Sequence, residues 1–186
     1  CAASSDMQVI ISNTTEVGIQ YHANDPIDGG CPKSFPAKLL AFLYARWQHF
    51  NGTTDSGMVI IPTELIINNG DVLKEIVLKL AADHQLPAAF VTWLQDANHF
   101  CNSLVDRIVP GTPDTATSAA ICADLGYEDK NLIISEVYRL WAIQGGAKVR
   151  EVLSFAKSDA GVVIADDIEI YRELKLRLLN GTHTLM

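Results

Sequence analysis

Short apolar runs alternate with amphipathic stretches of helical period along most of this chain. Residues 7–12 (MQVIIS) and 57–61 (GMVII) are compact and rich in β-branched or apolar side chains, the pattern of strands buried on both faces. Between them, Leu39, Leu40, Phe42, Leu43 and Trp47 fall at helical spacing, and Pro36 sits in the first turn of the helix they predict over residues 35–50. Val72, Leu73, Ile76 and Leu80 predict a second helix over residues 72–82, with Asp71 as its cap after an Asn68-Asn69-Gly70 turn. A third, after Pro87, is expected to run to about residue 100 on Phe90, Val91, Trp93, Leu94 and Ala97. Residues 103–109 (SLVDRIV) read as a strand interrupted by Asp106 and Arg107. Strand neighbours face opposite sides, so one of this charged pair is expected to point inward, where it needs a partner.

Residues 24–36 form a Gly, Pro and Asp-rich loop, and PGTPDTAT at 110–117 is the clearest break in the chain. Beyond it the pattern predicts a short helix at 119–125, an apolar stretch at 132–143, a helix at 148–156 and a brief strand at 162–165. A last amphipathic helix spans residues 168–179, with Asp166 and Asp167 available as caps and Asn180-Gly181 as its stop. Strands and helices in this alternation predict an α/β fold.

A chain of 186 residues with 48% apolar content can bury the core of one domain or a little more. A net charge of -8 argues against a nucleic-acid surface, which needs clustered Lys and Arg, so any anionic ligand must be met by a local pocket. Cys1, Cys31, Cys101 and Cys122 are widely spaced, with no metal-ligand pattern, and a zinc site is not expected. No apolar run approaches the roughly 18 residues that span a bilayer, and no leader pattern is present; a cytoplasmic protein with reduced thiols is expected. The start at Cys1, so close to a core strand, suggests a fragment.

The chemistry-bearing residues collect in four places. Lys175, Asn180 and His183 lie within nine residues and could act together on a carbonyl; read plainly, Lys175 is on a solvated helix face and Asn180 ends the helix. Asn13, Thr14, Thr15 and Glu16 follow a buried strand, either as a ligand edge or as a turn that bonds its own backbone. Asn69 belongs to an Asn-Gly turn, and Asp106 is open to an ion pair.

The spacing K-x4-N-x2-H in KLRLLNGTHT resembles the signature of the polyol-specific long-chain dehydrogenases, the mannitol dehydrogenase family. SNTTEVGI at 12–19, IPTELIINNG at 61–70 and FCNSLVDRIVPG at 100–111 resemble further stretches of that family in the same order. The resemblance implies an NAD-dependent oxidoreductase acting on a sugar acid or polyol. Residues 1–165 would be the later part of a Rossmann-like dinucleotide-binding domain with a β-rich extension, and residues 166–186 the start of a helical substrate domain. It makes Lys175 the general acid/base. Asn180 and Asn69, with Asn68 as the alternative register, would donate to the substrate oxygen; His183 would orient the substrate and Asp106 contact it. Arg172 stands where other members carry an acid, which suits an anionic sugar acid. Asn13, Thr14 and Glu16 would lie at the cofactor edge. No metal is required. The sequence contains no G-x-G-x-x-G, so a Gly-rich phosphate-binding unit is expected upstream of Cys1. A non-catalytic α/β interaction module is the other reading.

Overall fold

The computed structural model describes residues 1–15, 17–27 and 30–181, with only the backbone of Leu179 and Asn180. Its first sheet is parallel, in the order β1 (Val9–Ser12), β2 (Val59–Pro62), β3 (His99–Phe100). The crossover from β1 to β2 carries α1 (Phe35–His49), and that from β2 to β3 carries α2 (Asn69–Asp83) and α3 (Ala88–Asp96). Alternation along β2 splits its side chains between two cores. Ile60 packs with Leu40 and Leu43 of α1, Leu73 and Val77 of α2, and Phe90 of α3. Val59 and Ile61 face the other way, onto Cys101, Ile143, Val149 and Leu153. Burial on both faces is why this strand is a continuous apolar run.

The chain then enters a second sheet through β4 (Ser103–Asp106), which pairs antiparallel with β5 (Leu140–Gln144); β5 pairs in parallel with β6 (Val162–Ala165). Between β4 and β5 lies α4 (Thr115–Leu125), and between β5 and β6 lies α5 (Ala147–Val152). This second sheet is the expected β-rich extension. After β6, α6 (Glu169–Leu174) continues as a wider π-helical turn over Lys175–Asn180. Among the described residues no helix is long and apolar enough to cross a membrane.

Several boundaries differ from the sequence expectation. Helix α2 begins at Asn69 rather than after Asp71, because its early N–H groups find partners outside the local sequence: the Asp71 N–H donates to Asn102 Oδ1 (3.1 Å). Helix α3 stops at Asp96, so His99 lies on β3 and not on a helix. There the Asn98 amide donates to the Trp93 and Leu94 carbonyls while its oxygen accepts from Met58 N, tying the helix end to the sheet. The strand predicted to Val109 ends at Asp106, and α4 starts at Thr115, capped by Asp114, four residues earlier than its pattern suggests. Gly181 has right-handed helical angles, φ -61 and ψ -42, so Asn180-Gly181 does not stop the last helix in the expected way.

Arg46 is a further core polar group. Its buried guanidinium donates to the carbonyls of Ser56, Ala2, Ser4 and Met7, and so fastens the first residues onto α1.

Gly70 marks a close approach: a Cβ there would fall 2.5 Å from the Cys101 carbonyl carbon and 2.7 Å from the Asn102 nitrogen. Gly70→Ala is therefore expected to destabilise the fold by about 1–3 kcal/mol, the usual cost of overpacking, read from the urea midpoint. Burial pushes the Cys101 thiol up to about 12, so it stays protonated at pH 8. Iodoacetamide at that pH should modify the exposed Cys1 and Cys31 while leaving Cys101 intact until the protein unfolds, as peptide mass mapping will show.

Candidate functional site

The carboxyl ends of β1 and β2 meet the start of β4, and the gap between them is bridged by one amide. Asn69, 1% exposed, donates through Nδ2 to the carbonyls of Pro62 (2.9 Å), Glu64 (3.0 Å) and Ser103 (3.1 Å). Its Oδ1 accepts from Ser103 N (2.9 Å) and Gly70 N (3.0 Å). Ser103 Oγ adds a bond to the Pro62 carbonyl (2.5 Å). The two N–H groups of the Asn69 amide are thus directed at main-chain oxygens, not into open space, because buried carbonyls at the strand ends require donors.

Glu64 makes the matching connection between β1 and β2. Its carboxylate is buried and accepts from Ser12 Oγ (3.0 Å), Thr14 N (2.9 Å) and Thr14 Oγ1 (2.8 Å). Thr63 continues the zipper with its N–H and Oγ1 on the Ser12 carbonyl. No cation pairs with it among the described residues, and its charge is tolerated at this depth because three donors converge on it. Two positive-φ residues flank the network: Thr15 at φ 70, an unusual angle for a β-branched residue, and Asn68 at φ 53, which asparagine tolerates more readily.

Beside this braced edge lies a cleft of about 490 Å³ between the loop after β2, strand β4 and α6. Leu65, Ile66, Ile67, Leu104, Val105, Ile108 and Leu176 give it apolar walls; Thr63, Glu64, Ser103, Asp106, Arg172 and Lys175 supply its polar groups. Lys175 reaches back to β4, where its Nζ donates to the Val105 carbonyl (3.0 Å) and lies 3.3 Å from Asp106 Oδ1. Both side chains are largely shielded, at 15% and 12% exposure. Arg172 pairs with Glu169 and donates to Asn68 Oδ1 (3.4 Å). An apolar trough whose polar groups include two cations, Lys175 and Arg172, and two carboxylates, Asp106 and the hydrogen-bonded Glu64, can hold a small polar molecule and exchange a proton with it.

The structure therefore brings Lys175, Asp106 and Arg172 together, and resolves the Asp106-Arg107 ambiguity. Asp106 faces Lys175, while Arg107 is exposed and donates to the Glu136 carbonyl. Asn69 lies just beneath the cleft as a brace. Asn13 is exposed at the tip of β1, and Thr14 is committed to Glu64, which lines the cleft. Glu16, His183 and the side chain of Asn180 lie outside the described residues. Glu64 and Ser103 were not singled out from the sequence. The available signal was position: each stands where a buried run meets a polar tip, within the stretches 61–70 and 100–111.

Comparison with known proteins adds a lineage to this geometry. Residues 2–155 match the family described as the mannitol dehydrogenase Rossmann domain. An altronate oxidoreductase of Enterobacter sp. (strain 638) is 48% identical over 185 residues, which is 100% of this chain and 38% of that protein. An altronate oxidoreductase of Escherichia coli O6:K15:H31 is 46% identical with the same coverage. The chain thus spans 38% of the length of these curated relatives. Among solved structures, substrate-free D-sorbitol dehydrogenase superposes with a TM-score of 0.70 at 18% identity, over 98% of this chain and 38% of that one. The Pseudomonas fluorescens mannitol 2-dehydrogenase ternary complex with NAD and D-mannitol gives 0.65 at 24%, with the same coverage. At these identities the two structures establish the shared Rossmann-like fold.

Asn69 and Asn68 respond oppositely if the first is a brace. Asn69→Asp replaces a double donor by a carboxylate facing three carbonyls, so a loss of at least about 3 kcal/mol is expected in denaturant unfolding. Asn68→Asp, at an exposed left-handed position, should stay within about 0.5 kcal/mol of the parent. Equal stabilities for the two variants would remove the brace.

Proposed function

This chain belongs to the mannitol dehydrogenase family, and from that membership we propose that the full-length protein is an NAD-dependent oxidoreductase interconverting D-tagaturonate and D-altronate. The observation that carries the reading is the cleft itself, where Lys175, Asp106 and Arg172 share one polar end beside the carboxyl edge of a parallel sheet. The names of relatives 46–48% identical over this chain support the sugar acid as substrate. On the same reading the protein is cytoplasmic, in keeping with four free cysteines. The helical substrate domain begins after β6, at residue 166.

The residues present fit the reacting end of a dinucleotide better than its pyrophosphate. Asn13 and Thr14 follow β1 at the sheet edge where such ligands gather, with Glu16 close by in sequence, whereas the N–H cradle of a Gly-rich helix start is not encoded among these residues. When bound, the cofactor supplies or accepts the hydride. Ketone reduction places negative charge on the carbonyl oxygen, and Lys175 donates the proton that neutralises it; in the oxidation of altronate the lysine takes that proton back. Arg172 engages the substrate carboxylate, a task suited to its planar fork of donors. Asn180 contributes an N–H to the developing alkoxide, and His183 orients the neighbouring hydroxyl. Asn69 serves from below, holding β2 against β4 so that the wall carrying Asp106 keeps its place.

Steady-state assays of the full-length protein test this directly. Turnover of D-altronate with NAD is expected, and Lys175→Ala should lower kcat by at least about 100-fold. Arg172→Leu should weaken kcat/KM for the sugar acid by about 10- to 100-fold, the worth of a charged hydrogen bond, with little effect on a neutral polyol. Turnover of mannitol without turnover of altronate, or a fully active Lys175→Ala, overturns the proposal.

A further inference from the structure

We infer that Asp106 is the positioning residue for Lys175, an anchor that holds the ammonium group at one place in the cleft rather than a contact made only to substrate. The inference rests on the reading of Lys175 as acid/base. Lysine carries its charge on a flexible four-carbon stem, so its ammonium group is poorly placed unless something fixes it. Here two groups on one strand do so. Val105 O and Asp106 Oδ1 lie 3.0 and 3.3 Å from Nζ. They are successive residues of β4, and their partners Trp141 and Leu140 on β5 hold that strand in register. An ammonium group has three N–H donors. With two directed at β4, the third is left to meet an oxygen in the cleft.

The surroundings favour Asp106 for this task. Glu64 also lines the cleft, but its carboxylate is occupied by Ser12 and Thr14. Glu169 is paired with Arg172. Arg172 lines the same cleft, and a second cation nearby makes a fixed counter-charge for Lys175 more necessary. Burial raises the Tyr138 hydroxyl pKa, and the Asp106 and Glu136 carboxylates add to the rise. The low exposure of both partners limits screening by water, unlike that of a surface ion pair.

The test pairs a dynamic readout with a kinetic one in the full-length protein. NMR relaxation of the Lys175 side chain, assigned through its loss in Lys175→Arg, should report a restrained ammonium in the parent and a mobile one in Asp106→Asn, which keeps the shape and removes the charge. In the same variant kcat should fall by at least about 10-fold while the KM for the sugar acid changes by less than about 3-fold, and the pH profile of kcat should shift. Asp106→Glu should restore much of both. Equal Lys175 mobility in the parent and Asp106→Asn overturns the inference, as does a rise in KM with kcat unchanged, the mark of a substrate contact alone. A released lysine in Asp106→Asn combined with a fully active Lys175→Ala would support the anchor while overturning the acid/base role on which its catalytic meaning rests.

Discussion

Strand ends are where a parallel sheet becomes vulnerable, because the last carbonyls leave the ladder while still buried. In this chain that problem is met by the Asn69 amide, which satisfies carbonyls of β2, of the loop after it and of β4 with a single planar group. Buried polar groups left unpaired cost about 1–3 kcal/mol each, so the geometry of the whole edge is tied to this side chain. Glu64 solves the same problem one strand away, by collecting the free donors of the β1 tip. Together the two residues make a rigid rim from elements far apart in sequence.

Rigidity of the rim has a chemical consequence. The candidate acid/base, Lys175, does not sit on the rim but reaches it from the π-helical turn after α6, and its ammonium group rests on β4. A strand locked by β5 on one side and by Asn69 at its start offers a fixed surface for that contact. The cleft walls are mostly apolar, and the low exposure of Lys175 and Asp106 limits the screening of their charges. Arg172, one helical turn before Lys175, adds a second positive charge to the cleft, while its bonds to Glu169 and Asn68 keep the guanidinium in place.

Much of this was legible in the residues themselves. The apolar period of α1 and the β-branched run of β2 announced both elements, since they depend on side chains a few positions apart. So did the alternation that makes the chain α/β. The family itself was also readable, through local motifs that the comparisons bear out; Lys175, Arg172 and Asp106, named from those stretches as candidates, line one cleft.

What only the tertiary structure decided is which partner each polar group has. No spacing rule links Asn69 to Ser103, Asp71 to Asn102, or Lys175 to Asp106, pairs separated by 34, 31 and 69 positions. The same holds for the start of α2, where the distant Asn102 accepts from the Asp71 N–H, and for the tie between the end of α3 and the sheet, where Asn98 accepts from Met58 N 40 positions away. Asn69 shows the physical reason most clearly. An Asn-Gly pair has a strong local preference for a turn, but at the buried end of β2 the demand for hydrogen-bond donors outweighs that preference and sets the residue as the first of a helix. Local sequence determines which conformations are inexpensive; the burial created by the assembled fold determines which polar groups must find one another.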